Sequence, residues 1–135
     1  MSEVFRMQQR PAHLGLGGTV RALPVFDGTG EWYAAYEQDT AADGADGRLV
    51  SLHTFDESWS SWEMHPVGHE IVLCVAGEIS LVQELDGAEV RTTLQAGEWV
   101  GNPPGVWHTA DVDPGTTATC VFVTAGRGTQ SRDRS

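Results

Sequence analysis

At 135 residues the chain has the length of a single domain, and a hydrophobic fraction of 40% with five tryptophans gives it enough apolar surface for a packed core, which excludes wholesale disorder. Nineteen acidic residues against eight basic ones leave a formal net charge of −11, which argues against a phosphate backbone or an anionic membrane as partner, since both need clustered positive charge. All eight basic residues are arginine and none is lysine, so chemistry that needs a Schiff-base lysine or a phosphate-binding P-loop lysine is excluded.

The first residues form no apolar leader, and no run of about 18 apolar residues occurs, so a soluble, cytoplasmic protein is expected. Residues 19–26 alternate well enough for a strand, and 31–38 suit either a strand or a short helical turn. The segment 39–47 is small, acidic and Gly-rich and reads as an exposed loop. From residue 49 onward, runs rich in Val, Ile, Thr and Trp alternate with Gly, Pro and Asp breaks, the rhythm of an antiparallel all-β domain. The predicted strands are 49–55, 61–65, 70–75, 78–85, 89–94, 99–102, 106–112 and 117–124, and eight strands suit a double-sheet jelly roll. Asp86-Gly87 predicts a two-residue hairpin between the fourth and fifth of these, because the pair readily takes positive φ. Cys74 and Cys120 lie inside apolar runs and read as small buried hydrophobes. Residues 126–135 read as a polar, frayed tail. The chain thus divides into an N-terminal segment 1–48, a β core 49–125 and the tail, within one domain overall.

Two segments carry candidate chemistry. In Trp62-Glu63-Met64-His65, strand alternation places Glu63 and His65 on one face, and the turn at Pro66-Val67-Gly68 lets Glu70 begin the next strand close by. In the second segment, 97–108, the turn at Pro103-Pro104-Gly105 precedes a strand that can bring His108 to the same interior point. Oxygen and nitrogen donors then converge.

These two segments resemble the two motifs of the cupin superfamily. The first motif runs Gly, five residues, His-x-His, three or four residues, Glu, six residues, Gly; His65, Glu70 and Gly77 fit it. The second runs Gly, five residues, Pro-x-Gly, two residues, His, three residues, Asn; Gly97, Pro103, Gly105 and His108 fit it. Three positions depart: Glu63 replaces the first His, Glu57 stands where the leading Gly would be, and Val112 replaces the final Asn. The resemblance implies a cupin β-barrel, an antiparallel jelly roll, holding one divalent metal ion per chain on His65, Glu70 and His108, with Glu63 as a substituted fourth ligand or an acid-base catalyst. His69 competes with Glu70, since three intervening residues also fit the motif, although the gap to Gly77 favours Glu70. Two imidazoles and two carboxylates neutralise a divalent ion and favour Fe(II) or Mn(II), with Zn(II) or Ni(II) possible.

His53 and Trp99 are expected to line a substrate pocket. Trp59, Trp62 and Trp107 also flank the motifs, with Trp107 turned to the opposite face from His108. The implied function is a metal-dependent cupin enzyme acting on a small organic molecule, of dioxygenase, isomerase, lyase or cyclase type. The alternative is a non-catalytic cupin that binds a small ligand, its metal structural or absent. A homodimer is expected, with the N-terminal strand as the arm that crosses over; nucleic acid and membrane partners are not.

Overall fold

Ten strands and one α-helix organise the computed structural model, which describes residues 2–135; Met1, at the head of the N-terminal segment, lies outside them. In chain order they are β1 (Ala12–Leu14), β2 (Val20–Ala22), α1 (Gly30–Asp39), β3 (Arg48–Phe55), β4 (Ser61–Met64), β5 (Glu70–Leu85), β6 (Ala88–Gln95), β7 (Trp99–Asn102), β8 (His108–Asp111), β9 (Ala118–Thr124) and β10 (Gln130–Asp133). All pairings are antiparallel. One sheet runs β2-β1-β3-β9-β5-β7 and the other β10-β4-β8-β5-β6, so the long β5 belongs to both, and the hydrogen-bonded path does not close. This is the expected antiparallel double-sheet jelly roll.

β5 joins the predicted strands 70–75 and 78–85 into one. The Ala76-Gly77 break is a bulge in the pairing with β9, where the register shifts between Cys74 and Ala76 and the strand passes from one sheet to the other. Gly77 has φ +75°, and a Cβ there would stand 2.0 Å from the Thr117 carbonyl oxygen, so only glycine fits. The Asp86-Gly87 hairpin forms as expected, with φ of 52° and 80°.

Two expectations fail. The tail does not fray: Gln130–Asp133 pairs with β4, and Arg132 lies over the Trp107 and Trp62 rings at 4.5 and 5.2 Å while its guanidinium reaches Glu84 at 2.7 Å. The segment 39–47 is not a plain loop but carries a short 3-10 helix, Ala41–Asp46. Of the two options for 31–38, the helical one forms, and it extends over ten residues. The Thr29 hydroxyl caps α1 by accepting from the Trp32 N–H at 3.2 Å, and Trp32 and Tyr36, one turn apart, pack with Phe26 against Leu23 and Leu49. His13, buried on β1, fastens this layer: its Nε2 donates to Asp43 at 2.6 Å and its Nδ1 accepts from the Tyr36 hydroxyl at 2.8 Å. β1 pairs with β3 of its own chain.

Between the sheets, inward residues divide along the strands. Val72 and Cys74 of β5, Ala110 of β8, and Ala118 and Cys120 of β9 fill one end together with Ile79, Leu81 and Leu94. Cys74 and Cys120 are buried free thiols there, and burial pushes Cys120 up to about 12, which leaves it unreactive. Towards the other end the same strands present Glu70, His108, Phe122 and Thr124, and the interior becomes polar. Among the described residues no helix is long and apolar enough to cross a membrane.

Candidate metal centre

Glu63 lies on β4 directly opposite His108 on β8, and His65 follows at the end of β4. One donor atom each from Glu63, His65 and His108 falls within 4.8 Å of the others. The parity argument therefore holds for Glu63 and His65, and the Pro103-Pro104-Gly105 turn delivers His108; the Gly105 N–H donates to the His65 carbonyl at 3.0 Å and ties the turn to the site.

Glu70, at the head of β5, sits beneath both imidazoles. Its Oε2 is 3.3 Å from His65 Nε2 and its Oε1 is 3.3 Å from His108 Nε2. The same oxygens accept from Thr124 Oγ1 at 2.5 Å and Asn102 Nδ2 at 3.0 Å. Gln83 Nε2 donates in turn to Asn102 Oδ1 at 2.7 Å, so the carboxylate rests on a buried polar network. His69, the competing candidate, is exposed, whereas Glu70 is buried.

Hydrogen bonds fix the tautomer of each imidazole. The Thr129 hydroxyl donates to the Gly126 carbonyl at 2.8 Å, so towards His65 its oxygen accepts, and Nδ1, 2.8 Å away, carries the proton. The Val106 carbonyl, 3.3 Å from His108 Nδ1, can only accept. In the neutral imidazoles each Nε2 is therefore the unprotonated nitrogen, and both are buried without a hydrogen-bond partner. They face carboxylate oxygens at 3.3 Å, lone pair against lone pair, an arrangement that calls for a positive species between them, either a proton or a metal ion. Two neutral imidazoles with two carboxylates balance a divalent ion, so the residues present fit one.

The titration of these groups reflects the crowding. Burial pushes Glu63 up and the neighbouring Glu70 charge adds to this, outweighing the opposing pull of His65 and His108. Burial acts on Glu70 in the same direction, but the contacts with His108 and His65 overcome it and hold its carboxyl well below the usual range. For His65, burial pulls the pKa down, yet the adjacent Glu70 and then Glu63 reverse this and the net shift is upward. The two carboxylates are thus driven apart, Glu70 towards permanent charge and Glu63 towards uptake of a proton.

A cavity of about 810 Å³ opens onto Glu63, His65 and Glu70. His53 lines it, between the rings of Phe26 at 5.2 Å and Phe122 at 5.9 Å. Trp99 does not line it. Val100 and Asn102 turn inward from β7, so alternation sends Trp99 to the outer face, where it is 62% exposed. The sequence reading missed the Asn102, Thr124 and Thr129 supports and the contribution of α1, whose Tyr33, Ala34 and Glu37 wall the cavity. A Thr at the end of β9 and an Asn before a Pro-Pro turn gave no signal beyond strand and turn propensity.

No protein-family model matches the chain, and no curated protein sequence matches it. Solved structures do. Hydroxypropylphosphonic acid epoxidase from S. wedmorenis, in complex with fosfomycin, matches with a TM-score of 0.50 at 16% identity, over 57% of this chain and 43% of that one. A cupin-2 domain containing protein from Shewanella frigidimarina matches with a TM-score of 0.48 at 21% identity, over 57% and 69% of the two chains. Hydroquinone 1,2-dioxygenase from a Sphingomonas strain, with 4-hydroxybenzoate bound, matches with a TM-score of 0.45 at 16% identity, over 56% and 57%. The matched part spans less than half of the epoxidase and just over half of the dioxygenase. At these identities the likeness concerns the fold alone.

Proposed function

We propose that this chain, whose fold is that of the cupins, is a metal-dependent enzyme acting on a small organic molecule, with Glu63, His65 and His108 as the triad that holds one divalent ion and Glu70 as the carboxylate that completes or steadies it. The carrying observation is the pair of buried Nε2 lone pairs, each set by a hydrogen bond at its own Nδ1 and both turned towards Glu70 at 3.3 Å. Two imidazoles and one carboxylate with open positions suit Fe(II) or Mn(II), and Zn(II) or Ni(II) are accommodated by the same donors. A divalent ion held there supplies Lewis-acid polarisation of a carbonyl or enol oxygen and, as Fe(II), reactivity with dioxygen; a dioxygenase-type reaction is the class this donor set favours over isomerase, lyase or cyclase chemistry.

The protein's own part is positioning and proton management. Thr129 and the Val106 carbonyl hold the imidazoles, while Asn102 and Thr124 hold Glu70. Glu63, its pKa raised by burial and by the Glu70 charge, must be ionised to join the triad, so its proton competes with the ion. Tyr33, pushed up to about 12 by burial and by the Glu63 and Glu70 charges, stays protonated as a hydrogen-bond donor at the cavity wall. Co(II) titration tests the assignment through the visible absorption of the bound ion. One saturable Co(II) spectrum, lost in His65→Ala and in His108→Ala and retained in His53→Ala, supports it. A spectrum unchanged by both ligand substitutions contradicts it.

The working unit in this reading is a homodimer. The outward side of the six-stranded sheet presents Val50, Leu52, Ile71, Val75, Val123 and Trp99, with Ile71, Val75 and Trp99 at 38%, 42% and 62% exposure. An antiparallel sheet that faces water normally alternates to polar residues on that side. Apart from Arg48 at the start of β3, the strands carry no charge on this side in a chain of net charge −11, so a second copy meets little repulsion here and gains by apolar burial.

A further inference from the structure

The cavity beside the triad has one aromatic wall. Rings from four elements follow one another across it: Phe26 to His53 at 5.2 Å, His53 to Phe122 at 5.9 Å, Phe122 to Phe55 at 6.0 Å and Phe55 to Trp59 at 5.5 Å. The belt ends at the site, where Trp59 lies 6.2 Å from His108. These tilted and edge-on spacings leave ring faces for a flat guest. Across the cavity stand Tyr33 of α1 and the hydroxyls of Ser61 and Ser131. One further group lacks a partner: the indole N–H of Trp59 is buried and makes no hydrogen bond.

The charge of the lining is one-sided. Glu37, Glu63 and Glu70 are its carboxylates, no arginine lines it, and the chain contains no lysine. Burial lowers the pKa of His53, which keeps that ring neutral. An anionic guest would lose its hydration and face the Glu37, Glu63 and Glu70 carboxylates with no arginine or lysine to receive it. A neutral flat guest would cover apolar rings and find donors and acceptors at one end.

From this we infer that the cavity takes a neutral, planar aromatic molecule bearing hydroxyl groups, its ring laid along the Phe26-Phe122-Trp59 belt and its oxygens turned to Glu63 and Tyr33. The inference rests on the reading of this cavity as the substrate site and narrows the substrate class. A volume of about 810 Å³ is in the range of pockets that enclose drug-sized ligands, room for two or three fused rings.

The test compares a naphthalenediol with naphthoate, an anion of the same ring size, in the metal-free and Zn(II)-loaded full chain, by equilibrium dialysis and tryptophan quenching. The diol is expected to bind at least about tenfold tighter than naphthoate in both forms, and Phe122→Ala to weaken it by about tenfold through lost ring contact. Ser131→Arg, at an exposed position on β10 opposite Glu63, is expected to raise naphthoate affinity by about tenfold by supplying the missing cation. Equal or tighter binding of naphthoate in the unaltered chain, no binding of either probe, or diol binding indifferent to Phe122→Ala overturns the inference; if Phe122→Ala does not fold, the unaltered chain and Ser131→Arg decide. Metal content measured on the same samples separates the two readings. A chain that retains Zn(II) but prefers naphthoate defeats the substrate class alone, and one that binds the diol without retaining Zn(II) defeats the metal centre alone.

Discussion

Glu70→Gln probes the centre at its most constrained point. Each Glu70 oxygen accepts one hydrogen bond, from Thr124 at 2.5 Å and Asn102 at 3.0 Å, and each faces an imidazole Nε2 at 3.3 Å. A glutamine amide keeps the shape but turns one acceptor into a donor; facing Asn102 it opposes two donors in a buried place, at about 1 to 3 kcal/mol, whereas facing Thr124 it forces the hydroxyl to reverse and accept. Loss of the charge also removes what holds a cation between the imidazoles, and breaking a buried ion pair from one side costs about 3 to 5 kcal/mol. Because the two costs overlap, a net loss of about 3 kcal/mol is expected, which for a chain of 135 residues lowers Tm by about 10 °C. Thermal unfolding followed by circular dichroism, with and without Zn(II), reads this directly, and the stabilisation by metal should shrink in the variant. A Tm within about 2 °C of the parent in both conditions would refute the assignment of Glu70 as the anion beneath both imidazoles.

Other outcomes follow from the same geometry. His65 has a raised pKa, so in the metal-free protein its contribution to stability is present below the ordinary value of 6.5 and is lost as pH rises through the raised one. A metal ion replaces that proton at Nε2, so the metal-induced gain in Tm should grow between about pH 5.5 and about pH 8; a gain that shrinks over this range contradicts the two-imidazole site. Glu63→Gln should weaken Co(II) binding in calorimetry, whereas Glu63→His should shift preference towards Ni(II) or Zn(II); unchanged metal content in Glu63→Ala would remove Glu63 from the triad. Gly77→Ala, with its Cβ 2.0 Å from the Thr117 oxygen at φ +75°, should cost about 3 kcal/mol or more in urea unfolding. On the homodimer reading the parent chain should sediment as a dimer and Trp99→Glu as a monomer, without loss of bound metal.

Much of this was legible in the sequence because strand alternation and turn residues act locally. Glu63 and His65 share a face by parity, the two turns return Glu70 and His108 to them, and Asp86-Gly87 sets its hairpin. The division of roles between Glu63 and Glu70 was not legible, because it depends on Asn102 and Thr124, which reach Glu70 across 32 and 54 residues of chain. Helix α1 was ambiguous, since Trp32-Tyr33-Ala34-Ala35-Tyr36 suits either period and the choice is made by the Thr29 cap and by packing on Leu23 and Leu49. β10 was missed because Gln130-Ser131-Arg132-Asp133 has no apolar face; it is held by the β4 ladder and by Arg132 on two tryptophans. Trp99 was misplaced because its neighbours in sequence are motif residues, while the inward parity of Asn102 decides the face.

The central claim is that His65 and His108 converge on a divalent ion. Elemental analysis after loading with Fe(II), Mn(II) or Zn(II) and gel filtration tests it most directly, on the parent chain beside His65→Ala and His108→Ala. The account predicts about one ion per parent chain and less than about a tenth of that in either variant. A parent chain that emerges without metal, or variants that retain it in full, would contradict the account.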